Sequence, residues 1–81
     1  MLLNDAIALG ENGSWLEAQV RVSPGTKIPS SKTQWFVMLR DTSNKSFVLA
    51  DNDDQPIASE DMSALAELIR QIGLKEFTVF L

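Results

Sequence analysis

The order of apolar and polar positions divides this chain into short extended segments and one helix. From Leu3 to Leu9 the sequence is apolar and broken by Asp5, and Glu11-Asn12-Gly13-Ser14 follows as a strong turn signal before Trp15. This pattern predicts a first hairpin, with a helix through LNDAIAL as the competitor because the segment is poor in β-branched residues. Beyond the turn, Leu16, Ala18, Val20 and Val22 alternate with Glu17, Gln19 and Arg21, the period of a strand with one face in the core and the other in water. Continued backwards, that alternation puts Trp15 on the polar face.

Ser23 to Gln34 carries Pro, Gly, Ser and Lys without apolar periodicity and is expected to be the longest connection, either functional or mobile. Trp35 to Leu39 is an uninterrupted apolar run, suited to a central strand covered on both faces or buried against a partner. Asp41 to Lys45 then turns the chain into a fourth strand, Phe47 to Ala50, and Asp51 to Pro56 leads out of the sheet. Met62, Leu65, Leu68, Ile69 and Ile72 form the stripe of an amphipathic helix. Ser59 is the expected cap at its start, with Glu60 and Asp61 placed well against the helix dipole, and Gly73 is the expected stop. Phe77, Val79 and Leu81 then alternate as a fifth strand, leaving Phe80 out of phase on the other face.

The order ββ, loop, ββ, α, β predicts an α+β domain: a mainly antiparallel sheet of about five strands with one helix packed across a face. A right-handed crossover would set the last strand parallel to the fourth. The 81 residues form a single domain, whose core is adequate but marginal. With no Cys or His to supply disulfides or metal ligands, a homodimer is a reasonable expectation for so small a chain.

Composition narrows the function classes. The absence of His, Cys and Tyr removes the side chains most used for proton transfer and nucleophilic attack near neutral pH, so the chain reads as a non-enzyme without cofactors. Most of the carboxylates lie in turns or on the polar side of the helix rather than across a pocket. Asp51, Asp53, Asp54, Glu60 and Asp61 invite a calcium reading, but Pro56 and Met62 occupy positions where the EF-hand loop needs Gly and Glu. No metal site is expected. The four glycines are scattered, and none makes a phosphate-binding loop. A net charge of −4 opposes attraction to phosphate backbones and disfavours nucleic acid as a partner. No run approaches membrane-spanning length, and the first residues lack the features of a secretory signal, which makes cytoplasm the expected compartment. The two glycosylation-like triplets, at Asn12 and Asn44, read as turns.

The segments QWFVMLRD, SFVLADNDDQPIAS and ALAELIRQIGLKEFTVFL, from Gln34 onward, resemble short accessory proteins encoded on bacterial plasmids, especially partition-associated ones. That resemblance implies a small accessory role on a plasmid or other mobile element and brings no catalytic residues. The expected mode of action is binding to a protein partner. Trp15, Lys27, Lys32, Trp35 and Phe80 are the candidate contacts for a protein partner, against burial of the two Trp rings under the loop or at a subunit interface and packing of Phe80 under the first hairpin. Asp51, Asp53 and Asp54 are the candidates for a basic partner, against a solvated turn. The rival expectation is an acidic inhibitor whose carboxylates, including Glu60 and Asp61, occupy a nucleic-acid-binding groove. A third is direct nucleic-acid binding through Arg21, Lys27, Lys32, Arg40 and the Trp residues.

Overall fold

The computed structural model describes residues 1–23 and 34–81, so Lys27, Lys32 and nearly all of the long predicted connection lie outside the described residues. The elements are α1 (Leu3–Glu11), β1 (Trp15–Val22), β2 (Trp35–Asp41), β3 (Ser46–Val48), β4 (Ala58–Ser59), α2 (Met62–Ile72) and β5 (Thr78–Phe80). The strand order is β3-β2-β1-β5, with β4 also pairing with β2. Among the described strands, all pairings are antiparallel except that of β1 with β5. The protein is thus an α+β fold built on a mainly antiparallel five-stranded sheet, as the patterning predicts.

The first element departs from the predicted hairpin: it is a helix. Ala6 is fully buried while Leu3 and Ile7 pack against the core, and Asn4, Asp5 and Ala8 face water, a spacing that only a helix satisfies. Among the described residues no side chain caps its start. Instead Leu3 N donates to Ala50 O at 2.9 Å, and Ala50 N donates to Met1 O at 2.7 Å, so the segment before α1 is anchored beside the end of β3. Asn12-Gly13, expected to turn a hairpin, ends the helix. Gly13 N donates to Gly10 O at 3.0 Å and Ser14 N to Leu9 O at 3.1 Å.

The predicted alternation in β1 is interrupted by a bulge. Trp15 lies opposite Asp41 and Glu17 opposite Arg40, so Leu16 is an extra residue in β1. Because side chains alternate with a period of two, one extra residue reverses the facing of everything before it. Trp15 therefore shares the core face with Ala18 and Val20 and is buried, while Leu16, predicted to be core, is 53% exposed. Val22, also expected inside, sits at the strand end and is exposed.

The amphipathic helix appears where its stripe predicts, with Leu65, Ile69 and Ile72 buried. Gly73 ends it at φ 104°, and Leu74 N closes back on Ile69 O at 3.2 Å. The cap at its start is Asp61 rather than Ser59: its carboxylate accepts from Ser63 N at 2.9 Å. Ser59 is still held extended in β4 opposite Trp35, and its hydroxyl accepts from Asp61 N at 3.0 Å. Replacing Asp61 with alanine is expected to cost about 1 kcal/mol, measured by urea unfolding, while Glu60→Ala is expected to be nearly neutral.

The last strand runs in the same direction as β3 but does not pair with it. β5 pairs in parallel with β1, Gln19 to Arg21 matching Thr78 to Phe80. The core gathers Ala6 and Trp15 with Ala18, Val20, Val37 and Leu39 from the sheet, Leu49, and Leu65, Ile69 and Ile72 from α2. Both helices therefore lie on one side of the sheet.

Candidate interaction surface

The other side of the sheet has no helix over it among the described residues. Strand register places Glu17, Gln19 and Arg21 of β1, Phe36, Met38 and Arg40 of β2, Ser46 and Val48 of β3, Ala58 of β4, and Thr78 and Phe80 of β5 on this face. Its apolar members, Phe36, Met38, Val48 and Phe80, contribute nothing to the core cluster. Phe36, Met38 and Val48 are half-buried, and Phe80 is exposed. The continuous apolar run in β2 is explained by this arrangement: Val37 and Leu39 go to the core, and Phe36 and Met38 to the uncovered face.

A hydrogen-bonded line of polar groups crosses the same face. Arg40 Nη1 donates to Asn44 Oδ1 at 2.8 Å, and Arg40 Nε to Glu17 Oε1 at 3.1 Å. Gln19 Nε2 donates to the same Glu17 oxygen at 2.7 Å, while Gln19 Oε1 accepts from Arg21 Nε and Nη2 at 3.1 and 2.9 Å. The line ends with the Arg21 guanidinium 4.2 Å from the centre of the Phe80 ring, a cation–π contact. Each long side chain on the line is thus held by its neighbours, which lowers the entropy lost when a partner settles on it.

The hydrogen bond from Arg40, and after it that from Gln19, lowers the Glu17 pKa below its ordinary value of 4.5. A carboxylate whose pKa is lower in the folded state stabilises the fold above its unfolded pKa, and that contribution disappears as the pH falls through the folded value. Wild type should therefore be more stable than Glu17→Gln at neutral pH, and the two should converge in acid below the ordinary glutamate range. Urea midpoints across pH check this, and parallel curves would contradict it.

Two hollows flank the face. One, of about 310 Å³, is lined by Arg21, Val22, Phe36, Phe80 and Leu81. The other, a groove of about 920 Å³, lies on the β5 side of β1, where among the described residues no strand pairs with β1 before Gln19. The exposed Leu16, the Glu17–Arg40 pair and the stretch from Gly73 to Thr78 line that groove.

The residues singled out from the sequence are not brought together. Trp15 is buried: its Nε1–H donates to Ala6 O at 2.8 Å and its ring meets Phe47 edge-on at 5.8 Å, so it is a core residue rather than a surface contact. Trp35 is half-buried and packs against the core, opposite Ser59. Asp51, Asp53 and Asp54 are exposed in the turn after β3, where the Asp51 carboxylate accepts from Asp53 N at 2.9 Å and Gln55 N at 3.1 Å. Of the candidate protein contacts only Phe80 lies on the uncovered face among the described residues, together with Arg21 and Arg40 of the nucleic-acid expectation. Phe36 and Met38 belong to the run expected to be covered on both faces or buried against a partner, whereas Val48 is not singled out by the sequence.

Among the described residues there is no buried polar or charged side chain and no group of three acidic residues placed to hold a metal. No helix of the described residues is long and apolar enough to cross a membrane. Comparison with protein-family models, curated proteins and solved structures finds no match to this chain. The functional reading rests on the geometry of the sheet face.

Proposed function

We propose that this chain is a non-catalytic accessory protein that works by binding another protein through the uncovered face of its sheet. The observation that carries the reading is the set Phe36, Met38, Val48 and Phe80, held outside the core on a rigid sheet and bordered by a pre-ordered polar line. An apolar centre with hydrogen-bonding groups around it is the anatomy of a protein interface. The resemblance to plasmid-encoded accessory proteins supplies the proposed setting, a bacterial plasmid or other mobile element.

Aromatic rings beside Arg21 could stack on bases, but charge argues against nucleic acid. Glu17 neutralises Arg40, the only other cation on the face among the described residues, and the chain carries −4 overall. The acidic-inhibitor reading gains no support from the turn after β3, where Asp51 serves the backbone.

Affinity capture from a bacterial lysate, repeated with Met38→Glu/Val48→Glu, tests the reading. Wild type should retain a defined protein that the double variant loses, while Asp53→Ala/Asp54→Ala should retain it. Loss with the aspartate variant and retention with the sheet variant would reverse the assignment in favour of the acidic turn.

A further inference from the structure

The β5 edge supports a second inference, independent of the partner reading. β5 is hydrogen-bonded to β1 on one side only, and among the described residues no strand pairs with its other side. Natural proteins blunt such an edge by keeping it short, as β5 is at three residues, and also with a Pro, a charged residue in the strand, a bulge or a covering segment. Thr78–Phe80 contains no Pro and no charge, its register with β1 is unbroken, and all three residues are exposed. The edge is apolar on both faces. Val79 and Leu81 alternate on the core side at 40% and 101% exposure, and Phe80 at 39% faces the other way. A row of backbone donors and acceptors that no strand of the described residues pairs with is a template for an extended strand.

We propose that this strand is β5 of a second copy, paired antiparallel about a two-fold axis through Val79. A two-fold axis perpendicular to the sheet keeps each side chain on its own face, so only residues of like parity can lie opposite one another. Centred on Val79, the pairing sets Val79 against Val79 of the second copy, Thr78 against Phe80, and Phe77 against Leu81. The stretch Phe77 to Leu81 then pairs with its own copy, and it contains no charged side chain. Centring on Thr78 would instead set Glu76 against Phe80. The register about Val79 also continues the apolar row of the core side across the junction, covering Leu81.

Sedimentation equilibrium is expected to give twice the 9.0 kDa chain mass, and Val79→Asp to raise the dissociation constant roughly 100-fold by opposing two carboxylates on the axis. Because the chain has no cysteine, Val79→Cys provides a test of register. Opposed residues of an antiparallel pair bring their Cα atoms within about 5.5 Å, inside the disulfide range. The two copies of residue 81 would lie about 13 Å apart, four strand residues, beyond reach. Under mild oxidation by copper phenanthroline, Val79→Cys should cross-link rapidly and Leu81→Cys, though more exposed, should not. A 9.0 kDa species at every concentration, or equal cross-linking at both positions, would overturn the proposal. Either outcome leaves capture of a different protein through the sheet face open to its own test.

Discussion

Replacing Trp15 with alanine is expected to remove about 3–5 kcal/mol of stability, enough to leave a domain of this size largely unfolded at 37 °C. The side chain is buried between α1 and the sheet, its ring set edge-on to Phe47 and its N–H donating to the Ala6 carbonyl at 2.8 Å. Truncation would empty the largest side chain from the core and also release a tie between α1 and β1. Trp15→Phe separates the two contributions. It keeps most of the ring volume but removes the donor, and about 1–3 kcal/mol should be lost. Had Trp15 stayed on the polar face, as simple alternation places it, either substitution would cost under about 0.5 kcal/mol. Urea unfolding of the two variants therefore tests the bulge at Leu16 as well as the tryptophan.

The second large effect lies at the crossing of the two helices. Gly10 of α1 sits so close to the end of α2 that a Cβ there would overlap the carbonyl oxygen and carbon of Ile72. Both atoms are backbone, with no flexible side-chain tip to move aside, so Gly10→Ala must force the helices apart. Overpacking of this kind costs about 1–3 kcal/mol, and the backbone partner puts this case at the upper end. The better helix propensity of alanine returns about 1 kcal/mol, leaving a net loss of roughly 2 kcal/mol. Thermal unfolding should show a fall of roughly 8–16 °C. Ala8→Ser, on the exposed side of the same helix, should be within about 0.5 kcal/mol of wild type.

Local signals in the sequence were readable where one residue type has one physical use. The stripe from Met62 to Ile72 and the left-handed stop at Gly73 specify α2 without tertiary help, and the turn at Asp41 to Lys45 specifies the β2–β3 hairpin. The first helix was less legible because LNDAIAL fits two periods, and Asn-Gly can end a helix as well as turn a hairpin. Packing of Ala6 and Gly10 against the rest of the fold decides between them, and that is non-local. The bulge was hidden for a different reason. Leu16, Ala18, Val20 and Val22 continue one alternation, and nothing within those residues shows that Leu16 has been displaced outward to let Trp15 in. The parallel docking of β5 on β1 joins residues nearly sixty positions apart, beyond the reach of pattern reading.

The site follows the same division. Phe80 was recognisable because it breaks the phase of its own strand, and it does lie on the uncovered face. Phe36 and Met38 lay inside a run that fits a strand covered on both faces as well as one buried against a partner. Deciding that β2 is covered on one face only requires knowing that both helices pack on the same side of the sheet. The acids at Asp51, Asp53 and Asp54 stood out in the sequence by density, yet one of them is used to shape a turn.

The central claim is that this protein builds one core on one side of its sheet and works with the other. Hydroxyl-radical footprinting of its complex with the captured protein tests that claim most directly, since methionine and phenylalanine label readily and occur on both sides. On binding, Met38, Phe36 and Phe80 should lose labelling, while Met62 on α2 and Phe77 on the core side label as in the free protein. Protection of Met62 with unchanged labelling at Met38 and Phe36 would place the partner on the helical side and contradict the account.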